Sequence, residues 1–384
     1  MFGSPLMHPD RDTRIPVTVI TGFLGSGKTT LLNHWVKQPE LSDCAVLINE
    51  FGSVGLDHQL VKQVDEQVML LDSGCICCSV QGSLASALQE LFMKALRKEI
   101  KPFRRLIIET TGLADPAPVL FTLRQDSFIA ERYRFDGIVT LVDAVHIDGQ
   151  LARQYEAVKQ IALADLLVIS KSDLVPASAL AALQQRLGQL NGAAPQQVVR
   201  EGELSPSVLE KIGPYSSERG KDVRSLLAWL RTEAPNLGIA SPLRPVTSSH
   251  SAIGAQPTVP NSHADVASFS LRFGTPLQPA RLIAAVEAVQ AQFGDSLLRL
   301  KGILQLEGES QPLVIHGVHG QLYPLTTLGD WPEGKAQSRL VFIVRAAAKE
   351  PIEQLFQQVL AQPEPTLEQQ FQALFNPTEQ GPDQ

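Results

Sequence analysis

The chain has 384 residues, of which 44% are hydrophobic, and a formal net charge of −7. This length suggests two domains, and the acidic balance argues against a broad electrostatic grip on nucleic acid or on an anionic membrane. No apolar stretch approaches the ~20 residues that span a bilayer, and the N-terminus does not resemble a signal peptide. The four cysteines do not resemble a secreted disulfide framework. We therefore expect a soluble, cytoplasmic protein that binds neither nucleic acid nor membrane.

A β-branched run near the N-terminus leads directly into a glycine-rich pattern. Residues 17–30 read VTVITGFLGSGKTT, which contains the Walker A phosphate-binding motif between a predicted strand, Val17–Thr21, and a predicted helix. Glycines let backbone N–H groups surround phosphate oxygens, and the N-terminus of the following helix favours an anion. The lysine neutralises the β- and γ-phosphates, and the hydroxyl after it can bind Mg²⁺. The residues that predict this nucleoside triphosphate site are Gly22, Gly25, Gly27, Lys28 and Thr29.

Further apolar runs alternate with helical patterns through the first half of the chain. Six more strands are predicted, at Cys44–Asn49, Gln67–Asp72, Leu106–Glu109, Gly137–Val142, Leu166–Ser170 and Gln196–Val199. From Gly82 onward, apolar residues at helical spacing predict a long helix. This alternation predicts an α/β fold, a doubly wound and mostly parallel P-loop NTPase sheet with helices on both faces. Ligands bind at the carboxyl ends of such strands, so the polar motifs that follow them should form one site.

Two of these strand ends indicate which nucleotide binds and what holds its metal. Lys171 and Asp173 follow the strand at 166–170. The Asp173 carboxylate can accept hydrogen bonds from guanine N1–H and the 2-amino group, which adenine cannot offer, so the pattern favours GTP. Glu109 ends its strand where a carboxylate would hold the Mg²⁺ shell, and Gly112 would let the loop approach the γ-phosphate.

Three cysteines within four residues, Cys75, Cys77 and Cys78, are expected between a strand and a helix. Such a cluster suits a soft tetrahedral ion such as Zn²⁺ or Cu(I). A redox switch and plain buried cysteines remain alternatives. The cluster supplies at most three ligands, and the candidates for the remainder are Glu50, Asp57, His58 and His146. Cys44 lies within a predicted strand and is expected to be a core residue.

The second half of the chain predicts a smaller α+β domain after a segment rich in Pro, Ser, Gly and Ala. Its strands are expected at 268–273, 304–306, 313–316 and 340–344, with helices through Ile283, Val286 and Val289 and around 352–360. The predicted organisation is a disordered tail at 1–14, a P-loop GTPase domain at 15–235 with the CxCC metal motif, a linker at 236–266, the α+β domain at 267–362 and a mostly disordered tail at 363–384.

Five segments, GFLGSGKTT, INEFGSVGLD, SGCICCS, ETTGLADP and SKSD, occur in an order that resembles the CobW-like (COG0523) group of G3E P-loop GTPases. The resemblance covers residues 15 to 200, and the region 267–346 resembles the CobW C-terminal domain. It implies slow, Mg²⁺-dependent GTP hydrolysis coupled to delivery of a metal, most often Zn²⁺. Two features depart from the family: Ser53 follows NEFG where many members carry an acidic residue, and few histidines precede the second domain.

By this resemblance, each motif carries a role in this sequence. Lys28 and Glu109 would act in catalysis, and the cysteines of the CxCC motif, Cys75, Cys77 and Cys78, would bind the metal. The residues implied to bind nucleotide and Mg²⁺ are Gly22, Gly25, Ser26, Gly27, Lys28, Thr29, Thr30, Glu109, Gly112, Lys171 and Asp173.

Taken together, the motifs predict a GTPase, or GTP hydrolase, whose cofactors are GTP, Mg²⁺ and Zn²⁺ and whose partner is a client metalloprotein. The alternatives are a P-loop small-molecule kinase with a structural cysteine cluster, a non-catalytic metal buffer, and cobalt- or cobalamin-related metal insertion by the same family. The sequence does not identify the client, and a homodimer is one candidate assembly.

Overall fold

The computed structural model describes residues 12–48, 68–70, 76–213, 266–319, 321–323, 325–328, 331, 336–345 and 348–362, with the backbone alone for 68–70, 76–83, 211 and 321. The predicted C-terminal tail lies outside these residues, as does the predicted linker except for its last residue, Val266, which begins a strand. Glu50, Asp57, His58 and Cys75 also lie outside them. The domain limits given above therefore stay a prediction. Among the described residues, no helix is both long enough and apolar enough to cross a membrane.

The first half of the chain folds into a sheet with helices packed around it. In chain order its elements are β1 (Ile15–Gly22), α1 (Lys28–Trp35), β2 (Cys44–Ile48), β3 (Val68–Leu70), α2 (Ile76–Leu96), β4 (Arg105–Glu109), α3 (Ala117–Gln125), α4 (Ser127–Arg132), β5 (Tyr133–Asp143), α5 (Ile147–Arg153), α6 (Tyr155–Leu163), β6 (Leu166–Ser170), α7 (Ala177–Leu190) and β7 (Gln196–Val198). Short 3₁₀ turns occupy Pro39–Leu41, Ser172–Leu174 and Pro206–Lys211.

The seven strands pair in the order β3-β2-β4-β1-β5-β6-β7, and every pair runs parallel. β1 lies at the centre, between β4 and β5. Its residues Val17, Val19 and Ile20 are completely buried, because strands of a parallel sheet are covered on both faces and therefore read as continuous apolar runs. The predicted α/β fold class is confirmed. The carboxyl ends of β4, β1, β5 and β6 lie side by side at one edge.

Helix α2 begins earlier than its sequence pattern predicted. The apolar spacing indicated a helix from Gly82, whereas the helix starts at Ile76. A glycine inside a helix costs only about 1 kcal/mol relative to alanine, so the turn before Gly82 continues into it without a break. The leucines that set the spacing are buried as predicted: Leu84, Leu88 and Leu91. Cys77 and Cys78 therefore lie in the first turn of a helix and not in a loop before it.

Strand β5 also starts four residues before its predicted beginning, at Tyr133 instead of Gly137. The sequence hid this extension because Asp136 interrupts the apolar run. In the structure Asp136 is completely buried, and its carboxylate accepts hydrogen bonds from Arg105 at 2.6 Å and Arg134 at 2.9 Å. Two guanidinium partners make it possible to bury this charge inside a strand.

The described residues of the second half form an antiparallel sheet with two helices, which confirms the predicted α+β architecture. Its elements are β8 (Val266–Phe273), α8 (Pro279–Phe293), β9 (Leu297–Leu304), β10 (Leu313–Val318), β11 (Gln321–Leu322), β12 (Thr326–Thr327), β13 (Ser338–Arg345) and α9 (Lys349–Ala361). The path of strands is β11-β10-β9-β13-β8, with β12 pairing to β10. In α8, Val286 and Val289 are buried, whereas Ile283 is exposed.

The strand expected at 304–306 was wrong, because β9 occupies Leu297–Leu304. Arg299 and Lys301 interrupt its apolar run, yet both are 1% exposed. Arg299 reaches the first sheet, where its guanidinium forms an ion pair with the buried Asp165 and donates to the Ala164 carbonyl at 2.8 Å. Lys301 Nζ lies 3.8 Å from the same Asp165 carboxylate. These contacts join the two sheets through buried charges.

His316 on β10 belongs to the same buried group and makes the fold sensitive to acid. Its Nε2 accepts a hydrogen bond from Arg299 at 3.1 Å, which requires a neutral imidazole. Burial, and then the charges of Arg299 and Lys301, hold the pKa of His316 well below its usual value. The folded protein therefore binds fewer protons than the unfolded chain below about pH 6.5, so stability present above that pH is lost as the pH falls.

We expect the variant His316→Gln to show a weaker loss of stability in acid than the native protein. The amide oxygen can still accept from Arg299 but does not titrate. The native protein should lose up to about 1.4 kcal/mol more per pH unit below pH 6.5. Urea unfolding at pH 7 and at pH 5 measures the difference, and equal pH dependence in the two proteins would show that His316 is not responsible.

Candidate functional site

The loop after β1 has the backbone conformation that a phosphate cradle requires. Gly22, Gly25 and Gly27 have positive φ values of 140°, 76° and 93°, a region that favours glycine. At Gly22 a Cβ atom would lie 2.4 Å from the Leu141 carbonyl oxygen, so no larger residue fits. Lys28 begins α1 and is 8% exposed, and its Nζ donates to the Gly22 carbonyl at 2.9 Å. The loop, the N-terminal end of α1 and this ammonium group therefore face the same place.

Thr29 and Glu109 meet across the edge of the sheet, 80 residues apart in sequence. Thr29 Oγ1 donates to Glu109 Oε1 at 3.1 Å, and Glu109 is 6% exposed at the end of β4. A hydroxyl and a carboxylate oxygen are ligands of the kind that Mg²⁺ takes in nucleotide sites. The residues present therefore fit the Mg²⁺ that the sequence predicts. Thr30, the next residue of α1, is exposed.

The loop that follows Glu109 lies directly against the phosphate loop. Thr110 donates from its backbone N–H to the Ile20 carbonyl at 2.9 Å and from its hydroxyl to Thr21 at 2.9 Å. At Gly112 a Cβ atom would lie 2.5 Å from the backbone nitrogen of Leu24, so only glycine permits this approach. A shift of this loop would therefore displace the phosphate loop as well.

The residues predicted to recognise the base follow β6 and are joined to the phosphate loop. The Ser170 hydroxyl donates to the Ser26 carbonyl at 2.7 Å. Lys171 has a left-handed backbone with φ of 55°, and its Nζ donates to Asp143 Oδ2 at 2.6 Å. Asp173 lies two residues further on in a 3₁₀ turn and is exposed, as a carboxylate that binds a ligand must be before the ligand arrives.

Asp143 is a site residue that sequence reasoning missed. It ends β5, is 2% exposed, and accepts hydrogen bonds from both Lys171 and His146 Nδ1, the latter at 2.9 Å. The signal was available, because an aspartate closes a predicted strand next to the other motifs. A cavity of about 370 Å³ opens here, and its walls include the phosphate-loop residues Leu24 and Gly25 together with Asp143, His146 and Lys171.

Two family descriptions match this chain. The first, "CobW/HypB/UreG, nucleotide-binding domain", matches residues 16–198, and the second, "Cobalamin synthesis protein cobW C-terminal domain", matches residues 266–360. Together they span more than half of the chain. The chain belongs to the CobW family.

Similar proteins agree with this membership. The zinc chaperone YjiA of Escherichia coli is 31% identical over 89% of this chain and 98% of its own length. A zinc-regulated GTPase metalloprotein activator of Schizosaccharomyces pombe is 35% identical over 46% of this chain and 44% of its own. The crystal structure of Zn(II)-bound YjiA GTPase aligns with a TM-score of 0.63 and 27% identity, over 90% of this chain and 99% of that one.

The metal-binding residues predicted for this CobW-family chain lie mainly outside the described residues. Cys75, Glu50, Asp57 and His58 belong to that group, and Cys77 and Cys78 are described by backbone alone. Among the described side chains, no group of three or more His, Cys, Asp or Glu could hold a metal. The cysteine site therefore stays a prediction. Cys44 is buried in β2 as expected, and burial raises the pKa of its thiol to about 12.

A larger cavity of about 560 Å³ lies in the second domain, between the end of β8 and the helices α8 and α9. Arg281, the one charged residue among the described residues that line it, already donates to Gln278 at 2.7 Å. The smaller cavity beside the phosphate loop has the convergent polar groups of a binding site. We therefore assign the site to the edge of the parallel sheet.

Proposed function

We propose that this protein is a cytoplasmic GTPase that couples Mg²⁺-dependent hydrolysis of GTP to the binding of Zn²⁺ and its transfer to client proteins. The observation that carries the proposal is the meeting of three motifs at neighbouring strand ends. These are the Lys28 loop after β1, the Thr29–Glu109 pair, and the Lys171–Asp173 segment after β6. Zn²⁺ as the cargo is supported by the names of the relatives, which are a zinc chaperone and a zinc-regulated GTPase activator.

In this proposal each residue has a chemical role at the phosphates, the Mg²⁺ or the base. Lys28, which contacts the loop carbonyls, turns its charge to the β- and γ-phosphates and stabilises the negative charge that develops during transfer. Thr29 and Glu109 hold the metal position, where Mg²⁺ neutralises phosphate charge when bound. Asp173 accepts the two guanine donors, so GTP is preferred over ATP.

Hydrogen bonds connect the loop after Glu109 to helix α6 and to the second domain. Gln160 on α6 donates to the carbonyls of Gly112 and Ala114 at 3.2 Å and 3.0 Å, and thereby fixes the loop after Glu109. Lys159, beside it, lies 2.5 Å from the Asp115 carboxylate of that loop and 2.7 Å from His319 Nε2 in the second domain. A loop that moves with the γ-phosphate would therefore pull on both α6 and the antiparallel sheet.

Two alternatives predict different products and different metals. A small-molecule kinase would transfer phosphate to an added acceptor instead of water. Cobalt insertion would require tighter binding of Co²⁺ than of Zn²⁺ by the same residues. The zinc-related names of the relatives favour neither alternative.

A Zn²⁺ titration against a chromophoric chelator, in the presence of GDP and then of a non-hydrolysable GTP analogue, tests the coupling. We expect the Zn²⁺ affinity to differ between the two states by about 5- to 150-fold, the range typical of two communicating sites. The variants Cys77→Ala and Cys78→Ala should lose tight Zn²⁺ binding, because removal of either thiolate leaves the tetrahedral shell of the ion incomplete. Both variants should retain GDP binding.

Cys44→Ala is the matched control, since Cys44 is buried in β2 and should not bind the ion. A triple variant of YjiA, with one glutamate and two cysteines replaced by alanine, was itself crystallised with Zn(II). Affinity in solution is therefore the proper measurement, not metal occupancy in a crystal. Identical Zn²⁺ affinity in both nucleotide states would rule out the coupled cycle, even if each ligand bound well alone.

A further inference from the structure

The two carboxylate oxygens of Asp143 have separate partners. Oδ1 accepts from the backbone N–H groups of Val145 at 2.9 Å and His146 at 3.3 Å, which closes the turn after β5. Oδ2 lies 2.6 Å from Lys171 Nζ and 2.9 Å from His146 Nδ1. One oxygen therefore shapes the local turn, and the other holds side chains from two elements.

Lys171 needs a partner that holds its side chain in place. Its left-handed backbone, with φ of 55°, is unfavourable for a residue with a Cβ atom. A lysine side chain also loses rotamer freedom when it is fixed. The contact with Asp143 fixes the ammonium group before any ligand arrives.

Asp143 carries its negative charge at neutral pH. Burial raises the pKa of its carboxyl, but the hydrogen bonds from Lys171 and His146 outweigh burial, and the pKa lies below its usual value. Because Asp143 is 2% exposed, its attraction for Lys171 is screened less than that of a surface ion pair. The pair lines the same cavity as Leu24 and Gly25 of the phosphate loop.

We infer that Asp143 is a positioning residue for nucleotide binding: through Oδ2 it holds Lys171 extended along the wall of the cavity where the base and sugar of the nucleotide enter. This inference rests on the proposed GTP site. Fixing Lys171 in the free protein lowers the entropy lost on binding, so Asp143 acts on affinity without touching the nucleotide. Asp173 selects guanine, and Asp143 sets the position of the lysine beside it.

The test is a double-mutant cycle with GDP and Mg²⁺, measured by titration calorimetry on the full chain. Asp143→Asn keeps an oxygen for the turn and places an amide NH₂, which cannot accept a hydrogen bond, against Lys171. Lys171→Met removes the ammonium group and leaves the turn intact. We expect each single variant to bind GDP roughly tenfold more weakly, the value of a charged hydrogen bond. The double variant should bind no more weakly than Lys171→Met alone.

The outcomes separate this role from a structural one and from failure of the GTP site itself. Losses that multiply in the double variant, or Asp143→Asn binding like the native protein, would overturn the inference. Arg186→Met, which breaks the exposed ion pair with Asp148 and lies outside the cavity lining, should stay within about twofold of native affinity; a loss equal to that of Asp143→Asn would also overturn it. If the native protein itself fails to bind GDP, the proposed function fails first.

Thermal unfolding checks that each variant is folded. Should Asp143→Asn prove insoluble, Asp143→Ser replaces it in the same cycle, because a serine hydroxyl can accept from the Val145 N–H and also lacks Oδ2.

Discussion

Lys28→Ala is expected to abolish GTP hydrolysis and to weaken GTP binding. The ammonium group of Lys28 lies at the phosphate loop, where it donates to the Gly22 carbonyl at 2.9 Å. Removing a charge aimed at the transition state of phosphoryl transfer costs on the order of 100-fold or more in turnover. Release of inorganic phosphate over many turnovers, with Mg²⁺ and saturating GTP, measures the effect.

Lys37→Ala is the matched control. Lys37 is an exposed lysine shortly after the end of α1, on the same helix-and-turn segment as Lys28. Its loss should leave turnover unchanged. Near-native turnover in a folded Lys28→Ala protein would contradict both the assignment of the phosphate site and the GTPase activity built on it.

The sequence was sufficient to predict the parts of the site whose residue types are dictated by local chemistry. The positive φ of Gly22 and the close approach of the Leu24 backbone to Gly112 each admit only glycine, so both residues could be recognised from their motifs. Buried parallel strands require continuous apolar runs, so the strand ends that carry Glu109 and Lys171 were also found. The meeting of Thr29 with Glu109 followed from the shared edge of the sheet.

The strands that were predicted too short contain buried charges whose partners are distant along the chain. Arg299 and Lys301 interrupt the apolar run of β9, so most of this strand was not predicted; their carboxylate partner Asp165 lies 134 residues before Arg299. Asp136 shortened β5 in the prediction for the same reason, as its partner Arg105 lies 31 residues away. A charge within an apolar run cannot be read as buried until its partner is known.

Asp165→Asn is expected to cost about 3–5 kcal/mol of the free energy of unfolding, because it leaves the charge of Arg299 buried without the carboxylate that compensates it. Asparagine has the shape of aspartate, and its oxygen can still accept from the Ile138 N–H, which Asp165 Oδ2 now holds at 3.0 Å. The substitution therefore removes the charge and keeps the packing. Urea unfolding, followed by circular dichroism and by tryptophan fluorescence, measures the loss and shows whether the two domains unfold together.

Asp148→Asn is the control, since Asp148 also pairs with an arginine, Arg186 at 2.6 Å, but has 79% of its side chain exposed. Its loss should cost less than about 1 kcal/mol, as exposed ion pairs do. GDP binding by Asp165→Asn should survive, because Asp165 precedes the amino end of β6 and the site lies at the carboxyl end, about 17 Å along the strand.

A double variant tests whether the unpaired charge of Arg299 causes the loss of stability. Asp165→Asn combined with Arg299→Met removes both ends of the ion pair and should be more stable than Asp165→Asn alone, because no arginine is then left without its carboxylate. Equal costs for Asp165→Asn and the exposed control Asp148→Asn would mean that the Asp165 ion pair adds little to the contacts that hold the antiparallel sheet to the parallel one. In that case the route from the nucleotide loop to the second domain would depend on Lys159 and His319, whose contact is partly exposed to water, and the buried charges would have no part in it.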